Sequence, residues 1–239
     1  MEKTAKGTIA ANPKQQDENY PCRTTLFTTL FSVYPNELVK ILPAHINAEK
    51  SIEVMMPYDV ENRYVLNSVT LYANSTRLLF FDVQFTPNPN TPLIHFLSYN
   101  NACEQIYTRD KNYPYILPKK APRPVFTGLY IGDEERPDSF TMKLSDAFMT
   151  KQDNPFIELK VVFININKGR NSDIVGRSEI LGGYVELIDK MKRHAREGLD
   201  RTDAIKKAVG ECISEGIFKE FLTSHADGVE DLLLAEWDA

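Results

Sequence analysis

The chain has 239 residues, a mass of 27.3 kDa and a formal net charge of −5 at pH 7. Hydrophobic residues make up 42% of it and charged residues 26%, which excludes a disordered, collagen-like or disulfide-stapled chain. The acidic balance argues against a broad basic surface for nucleic acid or anionic lipid, although a local basic groove stays compatible with it.

The cysteines and the apolar runs predict the compartment. Cys22, Cys103 and Cys212 lie far apart, without a CxxC pair, so the sequence encodes neither a zinc site nor a disulfide framework. It also has neither the apolar core of a secretory signal nor the ~20 apolar residues of a membrane helix. We therefore expect a cytoplasmic protein in a reducing environment, with no membrane partner.

The first predicted elements are a polar leader and a helical segment. Residues 1–20 are polar and lack periodicity, which is typical of a flexible leader. Between residues 25 and 42 apolar side chains recur every three or four positions, with an interruption at Pro35. This pattern predicts two short helices or one broken helix.

A β-rich segment and a longer helix follow. Over residues 51–86 the apolar residues first alternate and then form two runs around Asn74-Ser75-Thr76, which predicts a hairpin. Residues 91–107 have helical periodicity, with Pro92 in the first turn, where proline is tolerated. The chain therefore passes from a strand pair directly into a helix.

The second half begins with strands and ends with helices. Residues 125–132 and 157–167 indicate buried strands, and from Ser178 onward the pattern is helical. Asp200 is a candidate N-cap, and Gly216 a candidate helix end.

Together these elements predict an α/β fold. We expect a mixed β-sheet core flanked by helices over residues 21–177 and a C-terminal helical region over residues 178–239.

One literal match to a catalytic motif is the combination of Pro137-Asp138 with Glu158-Leu159-Lys160. It has the spelling of a nuclease site in which two carboxylates bind Mg²⁺ and a lysine helps to position a water. Asp138, however, lies in an acidic turn rather than at the end of a strand. The sequence therefore favours a surface turn and a cross-strand charge pair.

The second candidate is the pair Asp82 and Gln84, which point to the same face because strand side chains repeat every two residues. A carboxylate buried in so apolar a strand needs a partner or a metal ion. Alternatively, Asp82 lies exposed at the strand end, before the Pro-Asn loop. The residue pattern leaves both interpretations open.

Several segments together carry a family resemblance: TLFTTLFS, LLFFDVQFTPNPNTPL, IELKVVFININKGRN and EGLDRTDAIKKAVGECISEGIFKEFL. In this order they resemble the PD-(D/E)XK nuclease family of transposase-like proteins, close to the recombination-promoting nucleases of bacteria. The resemblance covers about residues 22–236. It implies a restriction-endonuclease-like core with an Mg²⁺-dependent site for DNA cleavage.

The resemblance also assigns the site residues. It places Asp82 at the family's glutamate and Gln84 at its glutamine, but the first aspartate of the family is Ser68 here. A hydroxyl is a poor ligand for Mg²⁺ beside a carboxylate, so the substitution implies severely weakened metal binding. The sequence offers Asp59 as a possible substitute ligand, with Glu53 and Glu61 as further acids on the same segment.

The positions that would meet DNA differ as well. Two basic family positions are Ile94 and Asn101 in this chain, which removes expected phosphate contacts. The basic stretch that includes Lys190 and Arg193 is a weak nucleic-acid candidate, since such a stretch is usually a solvated helix face. The four histidines lack the spacing of ligands and are predicted to lie at the surface or the core edge: His45, His95, His194 and His225.

Three functional hypotheses follow from these features. The leading one is a nuclease-like protein with a degraded metal site and no cofactor, which binds an unknown protein partner or DNA, for example as a mobile-element or phage product engaging a host factor. The alternative is an active Mg²⁺-dependent DNA endonuclease that uses Asp82, Gln84 and a substitute acid such as Asp59. A DNA-binding remnant is a third hypothesis, and the helical tail leaves a homodimer open.

Overall fold

A mixed β-sheet forms the centre of the computed structural model, which describes residues 25–47, 51–55, 68–108, 120–151, 153–224 and 226–238. Within these ranges six strands pair in the order β1-β2-β3-β4-β6-β5. Strands β3, β4 and β6 run parallel, and the other pairs are antiparallel. The strands are β1 (Ile52–Val54), β2 (Ser68–Ala73), β3 (Arg77–Gln84), β4 (Arg123–Tyr130), β5 (Ser139–Lys143) and β6 (Lys160–Asn165).

Helices cover both faces of this sheet. Helix α4 connects the parallel strands β3 and β4, and a short 3-10 helix (Leu144–Ala147) follows β5. The α-helices are α1 (Leu26–Val33), α2 (Pro35–Lys40), α3 (Ala44–Asn47), α4 (Thr91–Thr108), α5 (Ser172–Val175), α6 (Glu179–Arg196), α7 (Arg201–Glu215), α8 (Lys219–Ser224) and α9 (Ala226–Asp238). In the described part of the chain, none of them combines the length and the apolar character that crossing a membrane requires.

Strand β3 is buried on both faces, and its alternation separates two cores. Leu79, Phe81 and Val83 join the larger core, which also contains apolar residues of α1, α6, α7 and α9. Leu78 and Phe80 point to the opposite face and pack with Ala102 of α4. Because side chains two positions apart share a face, Asp82 and Gln84 lie on the α4 side of the sheet.

The predicted α/β class is confirmed, together with its mixed sheet, flanking helices and C-terminal helices. The first helical segment breaks at Tyr34, after which Pro35 begins α2. In the hairpin turn, Asn74 and Ser75 adopt φ values of 47° and 56°, the left-handed region that asparagine tolerates better than most residues. The predicted leader over residues 1–20 lies outside the described residues.

The C-terminal helices begin where the sequence predicts. Ser178 is the N-cap of α6, and its hydroxyl accepts a hydrogen bond from the Leu181 N–H. Asp200 caps α7, which ends at Gly216 in the left-handed conformation. These helices share their core with the sheet, so the boundary between residues 177 and 178 separates segments of the chain that pack into one core.

A buried carboxylate ties the end of the chain to its first described helix. Glu236 of α9 is fully buried; its Oε2 accepts from the Phe27 N–H at 2.8 Å and its Oε1 from the Tyr184 hydroxyl at 2.7 Å. Burial and the neighbouring Glu236 raise the pKa of Tyr184 well above its usual value. A negative charge at the N-terminus of α1 also interacts favourably with the helix dipole.

Replacing Glu236 tests this tie. We expect Glu236→Ala to lower the free energy of unfolding by about 2–4 kcal/mol, because it leaves a buried N–H and a buried hydroxyl without their acceptor. Glu230→Ala is the matched control on α9, since Glu230 forms only a 3.7 Å surface ion pair with Lys206, and it should cost at most about 1 kcal/mol. Equal losses in urea denaturation would contradict the tie.

Gly128 of β4 makes room for an aromatic side chain beside the strand that carries Asp82. In the sheet, Gly128 lies between Asp82 of β3 and Phe163 of β6. The Phe163 ring occupies the place that a Cβ atom of residue 128 would take. The close packing of β4 against β6 therefore depends on a glycine at this position.

We expect Gly128→Ala to destabilise the protein by about 1–3 kcal/mol, since the ring or the strands must shift to admit the methyl group. Gly182→Ala is the control, because no atom lies within 4 Å of its added Cβ and alanine is a better helix former than glycine. Midpoints of urea unfolding give the comparison, and an unchanged midpoint for Gly128→Ala would refute the packing argument.

Candidate functional site

A small polar cavity opens near the carboxyl end of β3, beneath the first turns of α4. Its volume is about 90 Å³. Asp82 and Gln84 line it from β3, and Ser68 lines it from β2. The antiparallel register pairs Ser68 directly with Asp82, so the two side chains share a face. The structure thus brings together the three positions that the family resemblance assigns to catalysis.

Both oxygens of the Asp82 carboxylate have protein partners. Oδ1 lies 2.8 Å from His95 Nε2, and Oδ2 accepts a hydrogen bond from Gln84 Nε2 at 2.7 Å. Asp82 is 6% exposed, so its polar atoms depend on these contacts. Of the two interpretations that the sequence leaves open, the structure has the first: Asp82 is a buried carboxylate with hydrogen-bond partners and is not exposed at the end of the strand.

A chain of hydrogen bonds holds the Gln84 amide. Its Nε2 donates to Asp82 and to Thr91 Oγ1 at 2.6 Å, while its Oε1 accepts from the Asn88 N–H at 2.9 Å. The Thr91 hydroxyl in turn donates to the Asn88 carbonyl at 2.7 Å. Since an amide nitrogen only donates and its oxygen only accepts, this network fixes which way Gln84 faces.

His95 is the site residue that the sequence pattern missed. It is 4% exposed, and its ring packs against those of Phe126 and Phe80, with centroids 5.4 Å and 6.0 Å away. With Asp82 ionised, Nε2 is the donor of their hydrogen bond, because a carboxylate only accepts. The spacing gave one indication. His95 lies one helical turn after Thr91 on the predicted helix, so the two side chains share a face of that helix.

The residues that line the cavity offer one carboxylate (Asp82), one imidazole (His95), two amides (Gln84 and Asn88) and the hydroxyls of five serines and threonines. Among the described residues, no three of the types His, Cys, Asp and Glu come close enough to hold a metal ion together. Mg²⁺ is bound in proteins mainly by carboxylate and other oxygen ligands, and Asp82 is the single carboxylate among the described residues that line the cavity.

None of the three acids that could replace the missing carboxylate is placed beside Asp82 in the described part of the chain. Asp59 and Glu61 lie outside the described residues. Glu53 is exposed on β1, opposite Tyr72, four positions along β2 from Ser68. At about 3.4 Å per residue this separation is roughly 14 Å, too far for Glu53 and Asp82 to bind the same ion.

The literal PD…ExK match has the contacts of a surface turn. The Asp138 carboxylate lies 3.1 Å from Arg170 Nη1. Glu158 accepts from the Ser145 hydroxyl at 2.7 Å, and this hydrogen bond lowers the pKa of Glu158. The two acids therefore stabilise separate loops at the start of β5 and of β6.

The two weak nucleic-acid candidates on α6 make ion pairs with α7. Lys190 is 5% exposed and its Nζ lies 2.8 Å from Glu215 Oε1, a hydrogen bond that raises the pKa of Lys190. Arg193 Nη2 lies 2.7 Å from Glu211 Oε2. A phosphate would have to compete with these carboxylates for both cations.

No family model matches the chain, and neither do the curated proteins or the solved structures compared with it. The nuclease resemblance therefore stays a prediction.

A double-mutant cycle on Asp82 and His95 tests the central contact of the site. We expect Asp82→Asn and His95→Gln each to lower the free energy of unfolding by about 1–3 kcal/mol, because each leaves a buried polar partner poorly satisfied. The cycle should give a coupling energy of about 1 kcal/mol or more. Additive effects within about 0.3 kcal/mol in urea denaturation would contradict a direct interaction.

Proposed function

We propose that this chain is a nuclease-like α/β protein whose metal position has been replaced by a hydrogen-bonded Asp82–His95 pair, and which acts by binding rather than by cleaving DNA. The observation that carries the proposal is the engagement of both Asp82 oxygens by protein nitrogens. A metal ion would have only the remaining lone pairs of these oxygens, with no second carboxylate among the described residues that line the cavity.

Ser68 supports the same conclusion. It lies opposite Asp82, where a second carboxylate would complete a metal site, and it supplies only a hydroxyl. Two carboxylates attract Mg²⁺ much more strongly than one carboxylate and a neutral oxygen, because the ion gives up its water reluctantly. The fold can persist without catalysis, since a function belongs to its site.

The partner class follows from the sequence argument and is part of the proposal. We infer a cytoplasmic protein that binds another protein or DNA: the widely spaced cysteines fit a reducing compartment, and the acidic balance fits a protein partner better than DNA.

One observation favours the alternative of an active Mg²⁺-dependent endonuclease. Ser68, Asp82 and Gln84 surround a single cavity, as the family's site would require. A carboxylate from the segment that contains Asp59 would have to supply the second metal ligand. Metal binding and cleavage therefore distinguish the two functions.

The experiment measures Mn²⁺ and Mg²⁺ binding by calorimetry and plasmid cleavage at low salt. We expect the wild type to give neither metal binding nor cleavage. Ser68→Asp should gain measurable Mn²⁺ binding, because it places a second carboxylate directly across from Asp82. Ser68→Asn is the matched control, since it places a side chain of the same size at the same position without the negative charge and should gain no binding.

Cleavage by the wild type that Asp82→Ala abolishes would overturn the proposal and establish the endonuclease. If neither the wild type nor Ser68→Asp binds metal or cleaves DNA, the proposed binding function stands. That result would refute the idea that a single missing carboxylate separates this site from a metal site.

A further inference from the structure

A second polar pocket lies at the carboxyl edge of the parallel strands, on the far side of the loop that follows β3. It encloses about 260 Å³ between the ends of β4 and β6 and helix α6. It shares no lining residue with the cavity around Asp82. The open carboxyl edge of parallel strands is the usual place for ligands in α/β folds.

Lys192 of α6 forms a buried wall of this pocket. Its side chain is 6% exposed, and its ammonium donates to the Ile131 carbonyl and to Asn167 Oδ1. It lies 3.4 Å from Asp133 Oδ1 and 5.5 Å from the centre of the Phe85 ring. Burial lowers the pKa of Lys192 despite the nearby carboxylate, so its charge is incompletely compensated. An anion in the pocket would stabilise that charge.

The pocket is richer in cations than the chain as a whole. Five basic side chains line it against four acidic ones, whereas the whole chain carries a net charge of −5. The basic residues are Arg136, Lys168, Arg170, Lys192 and Arg196.

Ion pairs with the lining acids hold several of these cations in place. The pairs are Asp133 with Arg196 (2.9 Å), Glu134 with Arg136 (2.6 Å) and Asp189 with Lys168 (3.4 Å). Burial raises the pKa of Asp133, but its contacts with Arg196 and Lys192 outweigh burial and lower it. Asp133 therefore stays ionised and orients both cations.

The guanidinium groups keep donors for a ligand. A guanidinium has five N–H donors, and Arg136, Arg170 and Arg196 remain 39%, 45% and 63% exposed. Planar guanidinium groups match the paired oxygens of a phosphate. The volume is below the roughly 300–1,000 Å³ that holds drug-sized ligands, so the pocket suits one compact anionic group.

We propose that this pocket binds a phosphate group, through Lys192 at its wall and the arginines at its mouth. The phosphate can belong to a small phosphorylated molecule or to a nucleic-acid backbone. The proposal is independent of the metal site, because the two pockets have no residue in common.

Titration calorimetry with inorganic phosphate and anisotropy with a labelled 12-base-pair DNA duplex, both at low salt, test the pocket in the full chain. We expect phosphate to bind the wild type and Arg196→Gln to weaken that binding about tenfold, the effect of losing one charge-assisted contact. Lys206→Gln is the control, since Lys206 is an exposed cation of α7 outside the pocket, and it should change the affinity by less than about twofold.

Lys192→Met removes the buried charge while keeping the length of the side chain, and it should weaken phosphate binding at least as much. If Lys192→Met fails to fold, Arg196→Gln still tests the pocket, because Arg196 is exposed. Duplex binding that Arg196→Gln weakens would identify a nucleic-acid backbone as the source, whereas phosphate binding without duplex binding would identify a small molecule. Absence of both phosphate binding and duplex binding, or equal losses of affinity in Lys206→Gln and Arg196→Gln, would overturn the proposal.

Discussion

A buried carboxylate in the middle of an apolar sheet is the constraint on which the site depends. Asp82 lies on β3 with almost no access to water, and burying an unpaired carboxylate would cost far more than one residue can contribute to stability. Its two oxygens are instead satisfied by His95 from α4 and Gln84 from the same strand. These contacts fix the start of α4 against the sheet and orient the Gln84 amide. They also use one lone pair of each oxygen, and no second carboxylate lines the cavity in the described part of the chain.

Because side chains of β3 alternate between its two faces, each face packs against a different set of helices. Leu79, Phe81 and Val83 complete the large core with the terminal helices, and the intervening residues form the floor beneath α4. At the same edge, the Ile131 N–H donates to the Gln84 carbonyl at 3.0 Å, so the cavity around Asp82 and the basic pocket around Lys192 lie on either side of one backbone contact. The rigid edge can thus support two sites made of different residues.

Much of the fold could be predicted from the sequence because the signals were local and periodic. The broken first helix, the hairpin at Asn74, the strand face of Asp82 and the cap at Asp200 each follow from spacing or turn chemistry. Strand β5 was missed because its alternating run is only five residues long and directly follows an acidic turn. The roles of His95 and Lys192 could not be predicted, because they depend on tertiary packing. In the sequence each is one polar residue of a helix, and its neighbours come from distant strands.

The most direct test of the account is a crystal structure of the wild-type protein soaked in Mn²⁺, with anomalous scattering used to locate the ion. The account predicts no manganese at Asp82 and an intact hydrogen bond between its Oδ1 and His95 Nε2. A manganese ion coordinated by Asp82, with the imidazole displaced and a second carboxylate completing the site, would contradict it and identify the chain as a metal-dependent enzyme.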